Sequence, residues 1–98
     1  MDILRWLSDW YQSNCDGDWE HCYGVKIDTL DNPGWNIKIH LLGTEWEDKE
    51  FMSINIDKGD DDWIMCRVRD NVFDGAGDPQ KLIAILTTFK NWVEEKRG

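Results

Sequence analysis

The chain has 98 residues, of which 41% are hydrophobic, and its net charge is −9 from 20 acidic residues against 11 Lys and Arg. This length predicts one domain with a single modest core, and no apolar run approaches the roughly 20 residues that a membrane-spanning helix needs. The negative charge argues against binding to nucleic acid or to an anionic membrane, because phosphate contacts need clustered positive charge, and it favours a basic partner. An acidic surface that serves only solubility is the alternative.

Three cysteines, Cys15, Cys22 and Cys66, form no CxxC pair. Their odd number predicts reduced thiols rather than a disulfide framework, and therefore a cytoplasmic protein. The N-terminal stretch contains Asp2 and Asp9 and has no uninterrupted apolar core. We therefore expect no secretory signal there.

The first predicted element is a helix over residues 2–14. Its apolar side chains recur at helical spacing and form one stripe, Ile3, Trp6, Leu7, Trp10 and Tyr11. Asp2 is the expected N-cap, because its carboxylate can accept a hydrogen bond from an unpaired N–H of the first turn. We expect the stripe to pack in the core.

The period then changes to two, which predicts strands. Residues 23–29 alternate, and residues 35–41 place Trp35 and three aliphatic side chains on one face. Between them, residues 31–34 form a Pro-Gly turn in which we expect Gly34 to accept a positive φ. These residues predict a β-hairpin.

Two further strands are predicted after a polar link at residues 43–50. They span residues 51–57 and 63–70, and the acidic tip at 58–62 is a solvated loop between them. Their alternation predicts one apolar face and one mixed face. The mixed face of the sheet would carry Lys38, His40, Phe51, Asn55, Trp63, Met65 and Arg67.

A Gly-Ala-Gly break at residues 75–77 separates the strands from the last helix. Asp78 as N-cap and Pro79 in the first turn predict a helix that runs to about Lys96. The predicted fold is α+β, a four-stranded antiparallel sheet with the N-terminal and C-terminal helices packed on one face, in the order α-β-β-β-β-α. The whole chain, residues 1–98, is expected to form this one domain.

Catalytic and metal-binding signals are weak. His21 and Cys22 are adjacent and would point apart in an extended strand, so they do not form a zinc site with Cys15. The stretch at 16–18 lacks the remaining ligands of a calcium loop, and the glycines at 75–77 lack a phosphate-binding signature. We expect no metal, no cofactor and no catalytic residue; a small hydrolase that uses paired carboxylates is the third-ranked alternative.

Three acidic segments, 16–20, 45–50 and 57–62, each contain or adjoin a Trp. An acidic loop with an aromatic anchor can steer a basic protein and then bury a ring at the interface. The candidate partner-binding residues are Asp16, Asp18, Trp19, Glu20, Trp46, Glu47, Asp60, Asp61, Asp62 and Trp63. The alternative is that these segments are solvated turns whose Trp rings fold back over the core.

A resemblance rests on residues 15–21 and 23–35 (CDGDWEH and YGVKIDTLDNPGW), the early Trp6 and Trp10, and the late GDPQKL followed by Phe89 and Trp92. In these features the chain resembles the bacterial immunity protein 53 family of polymorphic toxin systems. The resemblance implies a cytoplasmic protein that is not an enzyme and that binds and neutralises a cognate toxin domain. If that toxin is a nuclease with a basic cleft, an acidic surface could occupy its phosphate track.

Two alternatives remain open from the residues alone. One is a non-catalytic small-ligand or protein interaction module that uses the open sheet face, with a shallow pocket formed by Trp63, Phe51, His40 and Arg67. The other is homodimerisation through the same face, because exposed aromatic side chains on a sheet favour pairing.

Overall fold

The computed structural model describes residues 2–97. The helices are α1 (Ile3–Asn14), α2 (Trp19–Cys22) and α3 (Leu82–Arg97). The strands are β1 (Val25–Leu30), β2 (Gly34–His40), β3 (Ile54–Asp57), β4 (Trp63–Arg69) and β5 (Val72–Gly77). All pair antiparallel in one sheet of order β1-β2-β5-β4-β3. The predicted α+β class and the terminal helices are confirmed, but the sheet has five strands rather than four.

The missed strand is β5, which lies at the centre of the sheet between β2 and β4. Residues 75–77 were predicted as a chain break, and this was wrong. A Cβ on Gly75 would lie 2.4 Å from Cγ2 of Ile85, and a Cβ on Gly77 would lie 2.7 Å from Cβ of Lys81. The glycines are therefore strand positions where the chain around α3 approaches the sheet backbone, a recognised use of glycine within strands.

The connection from β4 to β5 is a two-residue turn. Asp70 has φ 54° and Asn71 has φ 60°, and Arg69 pairs with Val72 on either side of them. Positive φ at both central residues is typical of the type I′ turn, whose twist matches that of a β-hairpin. Asp and Asn tolerate this conformation better than most residues, so the Asp-Asn dipeptide was an available signal for the extra hairpin.

The β1–β2 hairpin is confirmed, with one correction at its turn. Gly34 is the first residue of β2 and does not adopt a positive φ. A Cβ there would lie 2.3 Å from the carbonyl oxygen of Gly77. Glycine is needed at this position because the neighbouring strand comes close, not because of the turn conformation.

Several element boundaries differ from the prediction. Helix α3 begins at Leu82 because the residues after Asp78 form a turn, in which the N–H of Lys81 donates to the Asp78 carbonyl at 3.0 Å. Strand β3 begins at Ile54 rather than at residue 51. The short helix α2 was not predicted. Asp2 does cap α1, since its carboxylate accepts from the Leu4 N–H at 3.0 Å.

The core lies between one face of the sheet and the helices. Its buried hydrophobic residues are Leu7, Trp10, Trp19, Ile37, Ile39, Leu41, Trp46, Cys66, Phe73, Ile85, Leu86, Phe89, Trp92 and Val93. Phe89 is central, with ring centroids at 5.0 Å from Trp10 and 5.0 Å from Phe73. Both long helices contribute side chains to this one cluster, so no helix within residues 2–97 covers the opposite face of the sheet.

Candidate partner-binding surface

The uncovered side of the sheet, called the open face here, carries every charged side chain of the five strands. Cross-strand partners share a face, so the register sorts the strand residues into rows. Ile37, Gly75 and Cys66 form one row against the core. The open-face side chains are Lys26, Asp28, Asn36, Lys38, His40, Asn55, Asp57, Trp63, Met65, Arg67, Arg69, Val72, Asp74 and Ala76.

The open face is divided by charge along the strands. The basic rows are Lys26-Lys38-Asp74-Arg67 and the adjacent His40-Val72-Arg69. They contain every Lys and Arg of the strands, and one acid, Asp74, which pairs with Arg67 at 3.2 Å. Burial, followed by the charges of Lys26 and Lys38, lowers the pKa of His40. The positive charges of this half of the open face therefore act on a neighbouring titratable group, His40.

The opposite end of the same face is acidic and aromatic. Asp57 pairs with Trp63 at the last step of the β3–β4 ladder, and the acidic turn 58–62 connects them. We call Asp57, residues 58–62 and Trp63 the acidic end. The β1–β2 turn at residues 31–33 lies at the same end of the strands, because the β1–β2 and β3–β4 hairpins both turn there.

A concave site of about 480 Å³ opens at the acidic end, lined by Asn32, Asn55, Asp57, Gly59, Asp60, Trp63 and Met65. We call it the Trp63 cavity. It combines one half-buried indole ring with two carboxylates and two carboxamides. Asp57, Asn55 and Asn32 were not among the predicted partner-binding residues, because only the register and the sheet order bring the two hairpin turns together.

A buried ionic network holds the backbone of Trp63. The Asp78 side chain is fully buried, and its Oδ2 accepts from the backbone N–H of Trp63 at 2.9 Å and from Nζ of Lys81 at 2.6 Å. The same ammonium donates to Asp62 at 2.8 Å. The hydrogen bond from Lys81, with others from the backbone N–H groups of Gln80 and Trp63, lowers the pKa of Asp78 to about 2. This carboxylate therefore stays ionised and holds β4 against the start of α3.

The four predicted residues Asp60, Asp61, Asp62 and Trp63 lie together at the acidic end. The three carboxylates are exposed. Asp62 is engaged with Lys81, whereas Asp60 and Asp61 form no ion pair with any residue between 2 and 97. This group is the part of the predicted site that the fold presents to solvent as one surface.

The predicted residues of the first acidic segment, 16–20, lie at the other end of the molecule. Trp19 is only 3% exposed, with its ring against Trp10, so it is a core residue rather than an available anchor. Asp16 Oδ1 accepts from the N–H groups of Trp19 and Asp18, both at 2.9 Å, and these bonds lower the pKa of Asp16. Glu20 accepts from the backbone N–H groups of Asp16 and Gly17. Only the Asp18 carboxylate has no hydrogen bond in this turn.

Trp46 and Glu47 are also held by structural contacts. Trp46 is 3% exposed, its Nε1–H donates to the Val93 carbonyl at 3.2 Å, and the Arg97 guanidinium stacks on its ring at 5.3 Å. Glu47 is exposed and accepts from the Gly43 N–H at 2.9 Å. The link therefore packs its Trp inward, as the alternative for these segments proposed.

The first and second acidic segments, 16–20 and 45–50, are neighbours in the structure. The space beside Gly43 is bounded by the Trp19 ring, at 3.8 Å from a hypothetical Cβ. The His40 N–H also donates to the Gly24 carbonyl at 3.1 Å. An antiparallel hairpin places the start of β1 beside the end of β2, so only the third segment lies apart.

The shallow pocket expected from Trp63, Phe51, His40 and Arg67 does not form. Phe51 precedes β3 and turns toward the helices, with its ring centroid 5.5 Å from that of Trp92 and 5.6 Å from that of Phe73. His40 lies in the basic rows and contacts the Tyr23 ring at 5.5 Å. These four residues therefore lie in three separate places: the acidic end, the helix side and the basic rows.

Three other observations bear on chemistry. Burial raises the pKa of the Cys66 thiol to about 11, so this cysteine is not activated. Among residues 2–97, no group of three or more His, Cys, Asp or Glu side chains is arranged to hold a metal ion. Within the same range, no helix has the length and apolarity to span a membrane.

Comparison with known sequences supplies a family. The sequence model of a family described as Immunity protein 53 matches residues 4–94. This match covers nearly the whole chain and confirms the family resemblance given in the sequence analysis. No curated protein and no solved structure matches the chain in the corresponding comparisons.

Proposed function

The chain belongs to the immunity protein 53 family, and we propose on this basis that it binds a cognate bacterial toxin domain and neutralises it by occlusion, using the acidic end of the open face. The protein then acts in the cytoplasm as a stoichiometric inhibitor and not as an enzyme. The toxin surface that it covers is basic, as the active cleft of a nuclease would be.

The observation that carries this proposal is the uncovered sheet face with its separated charges. A sheet face that serves only as a structural layer needs no such separation. Here Asp28, Asp57 and the turn acids lie toward one end. All strand cations lie in the basic rows, where the one acid, Asp74, is paired with Arg67. Such a face can steer a partner of complementary charge and also fix its orientation.

Besides complementary charge, a protein interface needs an anchor side chain, and Trp63 supplies it. It is half-buried, and it lies among the residues that line the cavity of the acidic end. Trp side chains are enriched at interaction hot spots, where a desolvated ring contributes much of the binding energy. Since Trp19 and Trp46 are core residues, Trp63 is the anchor that we retain from the three acidic segments.

Co-expression with the toxin-like domain encoded beside this gene tests the proposal. A stoichiometric complex in size-exclusion chromatography with mass analysis, together with restored growth, is the expected result. A well-folded protein that neither binds the domain nor restores growth would overturn the immunity proposal. The same mass analysis of the free protein separates a monomer from a homodimer.

Two double variants with equal charge change locate the surface. D60N/D61N removes two unpaired carboxylates from the acidic end, and D18N/E45Q removes two exposed acids from the other end. We expect the first variant to weaken toxin binding by about tenfold at low salt, an effect that shrinks as salt is raised, and the second to leave binding nearly unchanged. Equal losses in both variants would show that net charge, and not this surface, governs binding.

The alternative function is a small-ligand or protein interaction module on the same face. It predicts that the occupant of the face is not the neighbouring toxin. In that case neither the unchanged protein nor the D60N/D61N variant would restore growth against the toxin.

A further inference from the structure

We propose that the Trp63 cavity is a receptor site for one arginine side chain of the partner, whose guanidinium group stacks on the Trp63 indole between the carboxylates of Asp57 and Asp60. This inference rests on the proposed function and specifies the chemistry of the group that the acidic end recognises.

The floor of the cavity is positioned before any ligand arrives. The backbone of Trp63 is held at both polar atoms by Asp78, whose Oδ2 accepts from its N–H at 2.9 Å and whose N–H donates to its carbonyl at 3.1 Å. The ring lies against Gly34, where even a hypothetical Cβ would lie 3.4 Å from Cζ2 of the indole. A Trp whose backbone is anchored and whose ring has one edge beside a neighbouring strand has less conformational freedom to lose on binding, which favours affinity.

The walls of the cavity leave negative charge uncompensated. Asp57 Oδ1 accepts from the Gly59 N–H at 3.0 Å, so its second oxygen remains for a ligand. Among residues 2–97, neither Asp57 nor Asp60 forms an ion pair, and no Lys or Arg lines the cavity. The neighbouring Asp62 differs from them, because Nζ of Lys81 already pairs with its carboxylate at 2.8 Å.

The combination of an indole face with carboxylates selects a guanidinium. Arginine is planar, stacks on aromatic rings and donates in a fork that matches carboxylate oxygens, whereas an ammonium is more strongly hydrated and donates from a point. Asn32 and Asn55 also line the cavity, and a carboxamide oxygen can accept a further hydrogen bond. An anionic or purely apolar group would leave both carboxylates unpaired.

The basic rows restrict where such an arginine can dock. Lys26 and Lys38 lie directly opposite each other, and Arg67 and Arg69 lie on β4 in the same half of the face. A cationic segment is repelled there and is attracted at the acidic end.

Titration with N-acetyl-L-arginine N-methylamide tests the site without the toxin. The matched control is the citrulline analogue, which keeps the shape and lacks the charge. In ¹H–¹⁵N correlation spectra at constant ionic strength, we expect the arginine compound to shift the Trp63 indole and Asn55 carboxamide resonances, with at least about tenfold weaker binding for citrulline. The lysine analogue is expected to fall between them.

Variants separate this site from a general charge effect. D57N/D60N should abolish the shifts at Trp63, and D18N/E45Q, with the same charge change, should preserve them. Equal shifts with arginine and citrulline, or shifts that survive in D57N/D60N, would overturn the proposal even if the toxin binds. If the toxin fails to bind while the arginine compound binds selectively at Trp63, the proposed function fails and the receptor site stands.

Discussion

Replacing Gly75 with alanine tests why the central strand can exist. The new Cβ would lie 2.4 Å from Cγ2 of Ile85 and 3.2 Å from Cε2 of Phe73, and both of these side chains are fully buried. Carbon atoms in favourable contact are separated by about 3.5–4.0 Å, so α3 and the sheet must move apart by about 1 Å or Ile85 must leave its rotamer. We expect Gly75→Ala to lower the free energy of unfolding by about 1–3 kcal/mol, the usual cost of overpacking a core.

A double-mutant cycle assigns that cost to one contact. Ile85→Ala alone should cost about 2–5 kcal/mol, because it removes buried methyl groups and leaves a cavity. In the Gly75→Ala background the same change also removes the clashing Cγ2. The two effects should therefore be less than additive, with a favourable coupling of about 1–3 kcal/mol.

Urea unfolding followed by circular dichroism and Trp fluorescence gives the free energies for the cycle. Ile83→Ala is the matched control, since Ile83 lies on the same helix and is 66% exposed. It should change the free energy of unfolding by no more than about 0.5 kcal/mol. A Gly75→Ala protein as stable as the parent, or additive effects within about 0.5 kcal/mol, would refute the close approach of α3 to β5.

Two further predictions concern titratable groups. The folded pKa of Asp78, about 2, lies below its ordinary value of 3.8, so its contribution to stability is present at neutral pH and is lost as pH falls from about 4 toward 2; acid unfolding of Asp78→Asn should lack this component, and identical stability–pH curves from pH 2 to 7 would contradict it. The thiols of Cys15 and Cys22 are exposed whereas Cys66 is buried, so an aromatic disulfide reagent should titrate two thiols in the native protein and three in denaturant. Rapid reaction of all three in the native state would contradict the placement of Cys66.

Local patterns in the sequence were sufficient where one period dominates a segment. The apolar stripe of α1 and the alternation in β1 and β2 each follow from a side-chain period that one face of an element must satisfy. The β1–β2 hairpin was predicted because its turn chemistry lies between two alternating runs. In these places local preference and tertiary packing favour the same structure.

Strand β5 was missed because packing overrides propensity there. Gly75, Ala76 and Gly77 have low strand preference, and their placement depends on Ile85 and Lys81, residues of a later segment. The number of strands was wrong for the same reason. The local signals of the additional strand were the Asp-Asn turn before β5 and the strand-favouring Val72 and Phe73 that follow it.

The fate of the Trp residues shows why the candidate surface was only partly predictable. Trp19, Trp46 and Trp63 occur in similar acidic contexts, so composition alone does not separate a core ring from an accessible one. The difference lies in the tertiary position of the segment that carries each ring. Trp19 and Trp46 lie in short segments that fold against Trp10, whereas Trp63 begins a strand on the face that no helix covers.

The position of Trp63 also connects stability with recognition. Asp78 and Lys81 connect β4 to the start of α3, and the same contacts hold the Trp63 backbone and pair with Asp62. Among residues 2–97, Asp60 and Asp61 of the same turn form no ion pair, and they lie near a Trp whose backbone is already held. The network thus pairs with one carboxylate of the turn, and negative charge remains beside an anchored aromatic residue. This preorganised, negatively charged aromatic site is the arrangement that a cationic partner surface would select.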